Sequence, residues 1–145
     1  MATHENVDLL SVVVGVTNKV AEAVVDRFCN WKAAPAESFM VETHVPGANG
    51  APAVGILGMK PDADAVGTGN VASSMVLPGC QTVVELGEAV SAGNPLRVGG
   101  NGGEVDGAAY HANASGDVIV AYALTDGAVG EKISIHFVGY HGVVA

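Results

Sequence analysis

The 145-residue chain has few basic residues, few aromatic residues and only two cysteines. Six Lys and Arg stand against 15 Asp and Glu, and the formal charge of -9 would repel a nucleic-acid backbone. Cys29 and Cys80 are far apart in sequence and form no CxxC pair, so neither a zinc site nor a disulfide framework is indicated and two buried thiols are expected. The longest apolar run, 12–16, is far shorter than the roughly 20 residues of a membrane span. Neither nucleic acid nor a membrane is expected as a partner.

Sequence motifs for catalysis and cofactor binding are also missing. Residues 67–72 fit the G-x-G-x-x-A spacing of a dinucleotide-binding loop, but prolines lie nearby where a strand and a helix are required. His111, His136 and His141 lack the spacing of a metal-ligating set. We therefore expect no catalytic residue, no cofactor and no metal, and the chain is not expected to be an enzyme.

Small side chains supply most of the apolar surface. The chain has 20 glycines and is rich in valine and alanine, whereas only 5% of its residues are aromatic. Each small side chain removes little area from water, at about 25 cal/mol per Å². Association with further copies, or with another surface, would supply the missing burial, and self-association is the resulting hypothesis.

The first half of the chain carries mixed patterns. Apolar residues from Asn18 to Trp31 fall at helical spacing, which predicts one short helix. The β-branched residues of the same region favour a pair of strands as the alternative. Five of the six prolines lie in 33–79, and this predicts short strands at 38–45 and 53–59 joined by irregular loops.

The second half has a regular β pattern with turns rich in Gly, Asn and Asp. Strands are predicted at 82–86, 95–98, 118–124 and 132–138. In the last of these, Ile133, Ile135 and Phe137 alternate with polar residues, which predicts one buried face and one solvent face.

These patterns predict a mainly β fold. The expected architecture is a small antiparallel β-barrel or sandwich with one short helix. A single β-rich domain would occupy 17–145, and residues 1–16 would form an N-terminal arm or an edge strand.

Residues 81–142 resemble a known family. A segment of the form G-[DE]-x-V-x-x-G-x-x-L-x-V at 87–98 leads into the glycine-rich turn 99–103. A valine-rich strand at 118–124, a turn at 126–131 and a closing strand at 133–139 follow. In order and turn chemistry this part of the chain is similar to the cement, or head-decoration, proteins of tailed bacteriophages.

The resemblance implies a structural virion protein without enzymatic activity. Such a protein would be made in the host cytoplasm and would bind the outer surface of an assembled capsid, with the major capsid protein as its partner. Proteins of this family commonly form trimers that stabilise the shell, so a homotrimer is implied as well.

Candidate interface residues come from apolar side chains that are costly to leave in water. The N-terminal set would pack at a subunit or capsid interface, or would form an internal strand, and both interpretations stand. Its members are Leu9, Leu10, Val12, Val13 and Val14. Trp31 and Phe39 are further candidates, because large aromatic side chains often anchor interfaces.

Two other functions compete with the structural one. A small trimeric β-barrel hydrolase of the deoxyuridine-triphosphatase type would need an Arg-Ser-Ser phosphate clamp, and neither Arg27 nor Arg97 is followed by Ser-Ser. A carbohydrate- or host-binding module would be favoured if Trp31 and the tyrosines lay together on an exposed face.

Deletion of residues 1–16 tests the arm hypothesis. The truncated chain is expected to keep its circular dichroism spectrum but to lose co-sedimentation with capsids, because the apolar contact segment is gone. A truncated chain that still binds capsids would refute the idea of an interface arm.

Overall fold

The computed structural model describes residues 13–18, 24–31, 41–58 and 71–145. Within these ranges the chain forms strands and no helix. The strands are β1 (Val13–Asn18), β2 (Phe28–Trp31), β3 (Val41–Thr43), β4 (Gly55–Leu57), β5 (Val71–Val76), β6 (Cys80–Glu85), β7 (Pro95–Val98), β8 (Ala109–His111), β9 (Val118–Ala123) and β10 (Lys132–Val143). The predicted mainly β, antiparallel character is confirmed.

The first sheet has the order β1-β5-β4-β2-β3, and every neighbouring pair is antiparallel. Val13 to Asn18 pair with Val76 to Val71, so β1 is an edge strand. Cα atoms of β1 and β3, the two edge strands, come within 8 Å of each other, which shows that the sheet is strongly curled. The described strands form no closed barrel.

The second sheet has the order β6-β10-β9-β7-β8 and is antiparallel throughout. The 12-residue β10 pairs with β6 on one side and with β9 on the other. Its register on β9 shifts between Phe137 and Gly142. Gly139, at a φ of 76°, lies in this irregular stretch, where an added Cβ would come within 2.8 Å of Pro78 Cγ. Glycine is therefore required for β10 to pass this point.

A shared core joins the two sheets. The alternation predicted for β10 is confirmed, since Ile133, Ile135 and Phe137 are buried while the residues between them are exposed. Phe28 of the first sheet packs on Phe137 with ring centroids 5.7 Å apart. The same cluster includes Ile56 of the first sheet, as well as Val84, Leu96 and Val120 of the second.

A second cluster lies on the other face of the first sheet. It contains Cys29, Val41, Leu57 and Met75. Neighbouring residues of one strand, such as Phe28 and Cys29, therefore point into different clusters, and the first sheet is buried on both faces.

The two cysteines are buried and unpaired, as predicted. Burial raises the pKa of the Cys29 thiol to about 12, which keeps it protonated at neutral pH. Burial also raises the pKa of Cys80, whose thiol donates to the carbonyl oxygen of Leu77 at 3.2 Å. Both therefore pack as small apolar side chains.

The predicted helix from Asn18 to Trp31 is wrong over the residues described there. Asn18 ends β1 and Phe28–Trp31 form β2, while residues 19–23 lie outside the described residues. Asp26 precedes β2 with a φ of 60°, which a right-handed helix cannot contain. Phe28 and Cys29 are buried on opposite faces, which requires side chains that alternate as in a strand. Packing on both faces therefore outweighs the helical spacing of the apolar residues.

Replacing Phe137 with Ala tests the shared core. The variant should lose about 3–5 kcal/mol of unfolding free energy in urea titration, since both the ring and its contact with Phe28 disappear. Val129→Ala is the control, because Val129 is 68% exposed and should change stability by less than about 0.5 kcal/mol. Equal losses in the two variants would contradict the assigned role of Phe137.

Candidate interaction surface

The loop 99–107 connects β7 to β8 and projects a glycine-rich turn into solvent. Residues 101–103 are exposed. Four of its glycines, at 100, 102, 103 and 107, have positive φ values. Such a segment has large conformational freedom when unfolded, so holding it in one shape requires specific contacts.

Arg97 of β7 supplies the main contact. Its guanidinium donates to both carboxylate oxygens of Glu104, at 3.0 and 2.5 Å. It lies 3.5 Å from the Asp117 carboxylate and 5.3 Å from the centre of the Tyr110 ring. The hydrogen bond with Glu104 raises the pKa of Arg97 despite partial burial. Its side chain is only 13% exposed, so this is a largely desolvated charge with paired partners.

Glu104 also binds the backbone of the loop. Its carboxylate accepts hydrogen bonds from the backbone N–H groups of Gly100 and Asn101, at 3.1 and 3.3 Å. The hydrogen bond from Arg97, followed by those from the backbone, lowers the pKa of Glu104. Further along, the backbone N–H of Val105 donates to the hydroxyl of Tyr110 at 2.8 Å. The loop is therefore pre-organised, which reduces the entropy lost when such a loop binds a partner.

Three exposed valines lie in this loop or near it, and we call them the valine patch: Val24, Val45 and Val105, which are 41%, 57% and 40% exposed. A Cβ added at Gly100 would lie 3.2 Å from Val45 Cα. The backbone N–H of Val24 donates to Thr43 Oγ1, and a Cβ at Gly107 would lie 2.6 Å from Thr43 Cγ2. The patch places apolar side chains beside an ordered loop.

Two ion pairs fix the corner from which Val24 extends. Lys132 Nζ lies 2.7 Å from Asp26 Oδ2, and Arg27 Nε lies 3.0 Å from Glu85 Oε2. The backbone N–H of Glu85 also donates to the carbonyl oxygen of Asp26 at 2.8 Å. The positive φ of Asp26 is thus maintained by contacts between the two sheets.

His44 precedes Val45 and has a buried Nε2 atom without a hydrogen-bond partner among the described residues. Burial is the main cause that lowers its pKa, outweighing a hydrogen bond with the Pro52 backbone and the nearby Glu42. The imidazole is therefore held neutral, and its contribution to stability is lost as the pH falls below about 6.5.

The structure separates the residues predicted as interface candidates. Leu9, Leu10, Val12 and Phe39 lie outside the described residues. Val13 and Val14 belong to the edge strand β1, opposite Val76 and Met75. Trp31 ends β2 opposite Val41 and is 41% exposed.

The loop 99–107 and the valine patch were missed by sequence reasoning. The available signal was the run of glycines followed by Glu104, with Arg97 upstream, because an arginine and a glutamate flanking a glycine loop can close it. The patch gave no comparable signal, since its three valines are far apart in sequence.

The carbohydrate-binding alternative required Trp31 and the tyrosines on one exposed face. Trp31 belongs to the first sheet, whereas Tyr110, Tyr122 and Tyr140 belong to the second, and Tyr110 is buried. Within the described ranges, no three His, Cys, Asp or Glu side chains are grouped as metal ligands. No helix long and apolar enough to span a membrane is found there either.

The fold is similar to that of a bacteriophage protein. The N base of the head fiber protein gp8.5 of bacteriophage phi29 matches with a TM-score of 0.58 and 13% sequence identity. The match covers 92% of this chain and all of the other. No protein-family model and no curated protein sequence matches the chain. At this identity the likeness defines the fold class, a two-sheet β domain also used at the base of a phage head fiber.

Glu104→Gln tests whether the Arg97–Glu104 ion pair stabilises the loop 99–107. Because the folded-state pKa of Glu104 is lowered, its charge contributes stability above about pH 4.5, and this contribution is lost as the pH falls further. The variant should lose about 1–2 kcal/mol at pH 7 and show a shallower decline below pH 4.5 in urea titrations. Asp106→Asn, in the same loop, is the matched control. The same pH profile in both variants would show that the Arg97–Glu104 pair does not stabilise the loop.

Proposed function

We propose that the chain is a structural protein of a phage head that binds the outer surface of the assembled capsid. The observation that carries this proposal is the shared fold with the phi29 head-fiber base over 92% of the chain. The sequence resemblance of residues 81–142 to cement proteins supports it from a separate direction.

The loop 99–107 and the valine patch form the proposed capsid contact. The Arg97–Glu104 pair holds this loop in one conformation although the loop tip packs on no core. Exposed valines beside it gain free energy when a partner covers them, at about 1.5 kcal/mol for a fully buried side chain. An ordered loop with an apolar border is suited to a contact that must repeat identically over a lattice.

The charge of the chain suits an outward position. A net charge of -9 keeps decorated particles apart and gives no attraction to the packaged genome. Binding to the assembled lattice alone stabilises that lattice by mass action, and this requires no chemistry at the contact.

We also propose that the chain acts as a homotrimer. Trimeric linkage would convert several weak capsid contacts into one strong attachment through effective concentration. The abundance of small apolar side chains supports self-association, because a monomer built from them buries little area per residue.

The arginines support a binding role over the rival hydrolase role. Arg27 is paired with Glu85, while Arg97 is paired with Glu104 and Asp117. A phosphate clamp requires a cation free to meet the developing negative charge. Both guanidinium groups are instead engaged in holding the fold.

Co-sedimentation with undecorated capsids of the cognate phage tests the proposal. The wild-type protein should bind in saturable numbers, and light scattering should give the mass of a trimer. Val45→Ser with Val105→Ser should raise the Kd by roughly tenfold, since the two half-exposed side chains together would lose about 1.5 kcal/mol of burial. Val129→Ser is the control at an exposed site on another turn.

The outcomes separate the parts of the proposal. Absence of capsid binding by the wild-type protein would refute the capsid role, and equal binding by the double variant and the control would move the contact elsewhere. A truncation at residue 12 completes the set, because it removes Leu9, Leu10 and Val12 while sparing β1, which begins at Val13. Loss of binding in that variant alone would assign the contact to the N-terminal segment.

A further inference from the structure

The outer face of the second sheet carries a row of side chains across four strands. Gln81 pairs with His136, His136 with Tyr122, and Tyr122 with Pro95. Directly opposed residues point to the same side of a sheet, and strands lie about 4.8 Å apart, so the row spans about 14 Å. We call these four residues the Tyr122 row.

His141 fixes the central ring of this row. Its Nδ1 atom is within hydrogen-bond distance of the Tyr122 hydroxyl, at 2.5 Å. The two rings meet edge to face with centroids 5.3 Å apart. The irregular stretch of β10 beyond Phe137 brings His141 to this position. Tyr122 is thus oriented before any ligand arrives, with its half-buried ring at the surface of the sheet.

A second row runs beside the first and is equally free of acidic groups. Val83 pairs with Ser134, whose carbonyl oxygen accepts a hydrogen bond from the N–H of Leu124. All three residues are exposed. None of the seven side chains in the two rows is a carboxylate, although the chain carries 15 Asp and Glu. The two rows therefore carry no acidic side chain, and the next opposed pair on this face, Lys132 and Glu85, has one charge of each sign.

We propose that the Tyr122 row is a binding site for a neutral saccharide. The C–H face of a sugar ring packs on flat or apolar surfaces, and Tyr122, His136 and Pro95 supply three such surfaces in line. Gln81, Ser134 and the imidazole nitrogens supply hydrogen-bond donors and acceptors for sugar hydroxyls. A row of this length accommodates a short oligosaccharide lying across the strands.

The chemistry of the face favours this ligand over a charged or strongly apolar one. An anionic ligand would find no Lys or Arg within the two rows, and the neighbouring Lys132 is paired with Asp26. An apolar peptide would cover the polar groups of Gln81, Ser134 and His136 without matching their hydrogen bonds. A neutral polyhydroxylated ligand satisfies both constraints.

Saturation-transfer NMR on the full chain tests the site, with glucose, galactose and N-acetylglucosamine as probes. At least one of these sugars should receive saturation from the wild-type protein. Tyr122→Ala should raise its Kd at least tenfold, whereas Tyr122→Phe, which keeps the ring, should retain most of the binding. Tyr140→Ala is the control, since Tyr140 is an exposed tyrosine outside the row. Circular dichroism establishes that each variant is folded.

The site is independent of the proposed capsid contact, so the two can fail separately. Tyr122→Ala should leave capsid co-sedimentation unchanged. Absence of saturation transfer to all three sugars would overturn the proposal, as would equal binding by Tyr122→Ala and the wild-type protein. Loss of capsid binding in Tyr122→Ala, with no sugar signal, would assign this face to the capsid instead.

Discussion

The contact between Phe28 and Phe137 is the point at which the two sheets share one core, and the remaining structure depends on it. One aromatic ring comes from a short strand of the first sheet and the other from the long strand β10 of the second. Around them lie mostly Val, Ala, Ile and Leu, whose small contributions add up only when the sheets are held together. The ion pairs of Asp26 and Arg27 then fix the corner where the first sheet meets the second.

The loop 99–107 illustrates how this fold uses charge. The largely buried Arg97 forms an ion pair with Glu104. Glu104 in turn accepts hydrogen bonds from two backbone N–H groups of the exposed turn, so the buried charge orders a surface loop. Glycines allow the turn and the ion pair removes the freedom that they bring. The result is an ordered solvent-facing loop with the exposed Val45 beside it.

Several features follow from local pattern alone. The strand at 95–98 was predicted with its observed bounds, and the alternation in 132–138 identified Ile133, Ile135 and Phe137 as core residues. Other elements escaped the pattern. The proline and glycine content of 33–79 predicts a loop where Val71–Val76 forms a strand, and no local pattern predicts Ala109–His111, because short strands acquire their partners from distant residues. The predicted helix is wrong at β2, because the adjacent residues Phe28 and Cys29 are buried in two different hydrophobic clusters.

By itself the sequence determined the acidic charge, the β character of the second half and the buried thiols, since these depend on composition and on residues close together along the chain. Only the tertiary structure decided which exposed residues form a surface. Val45 comes beside Gly100 of the loop 99–107, and Gln81, His136, Tyr122 and Pro95 align through strand register. The physical reason is that sheet pairing joins residues far apart in sequence, and a one-residue change in register would move each of them to the opposite face.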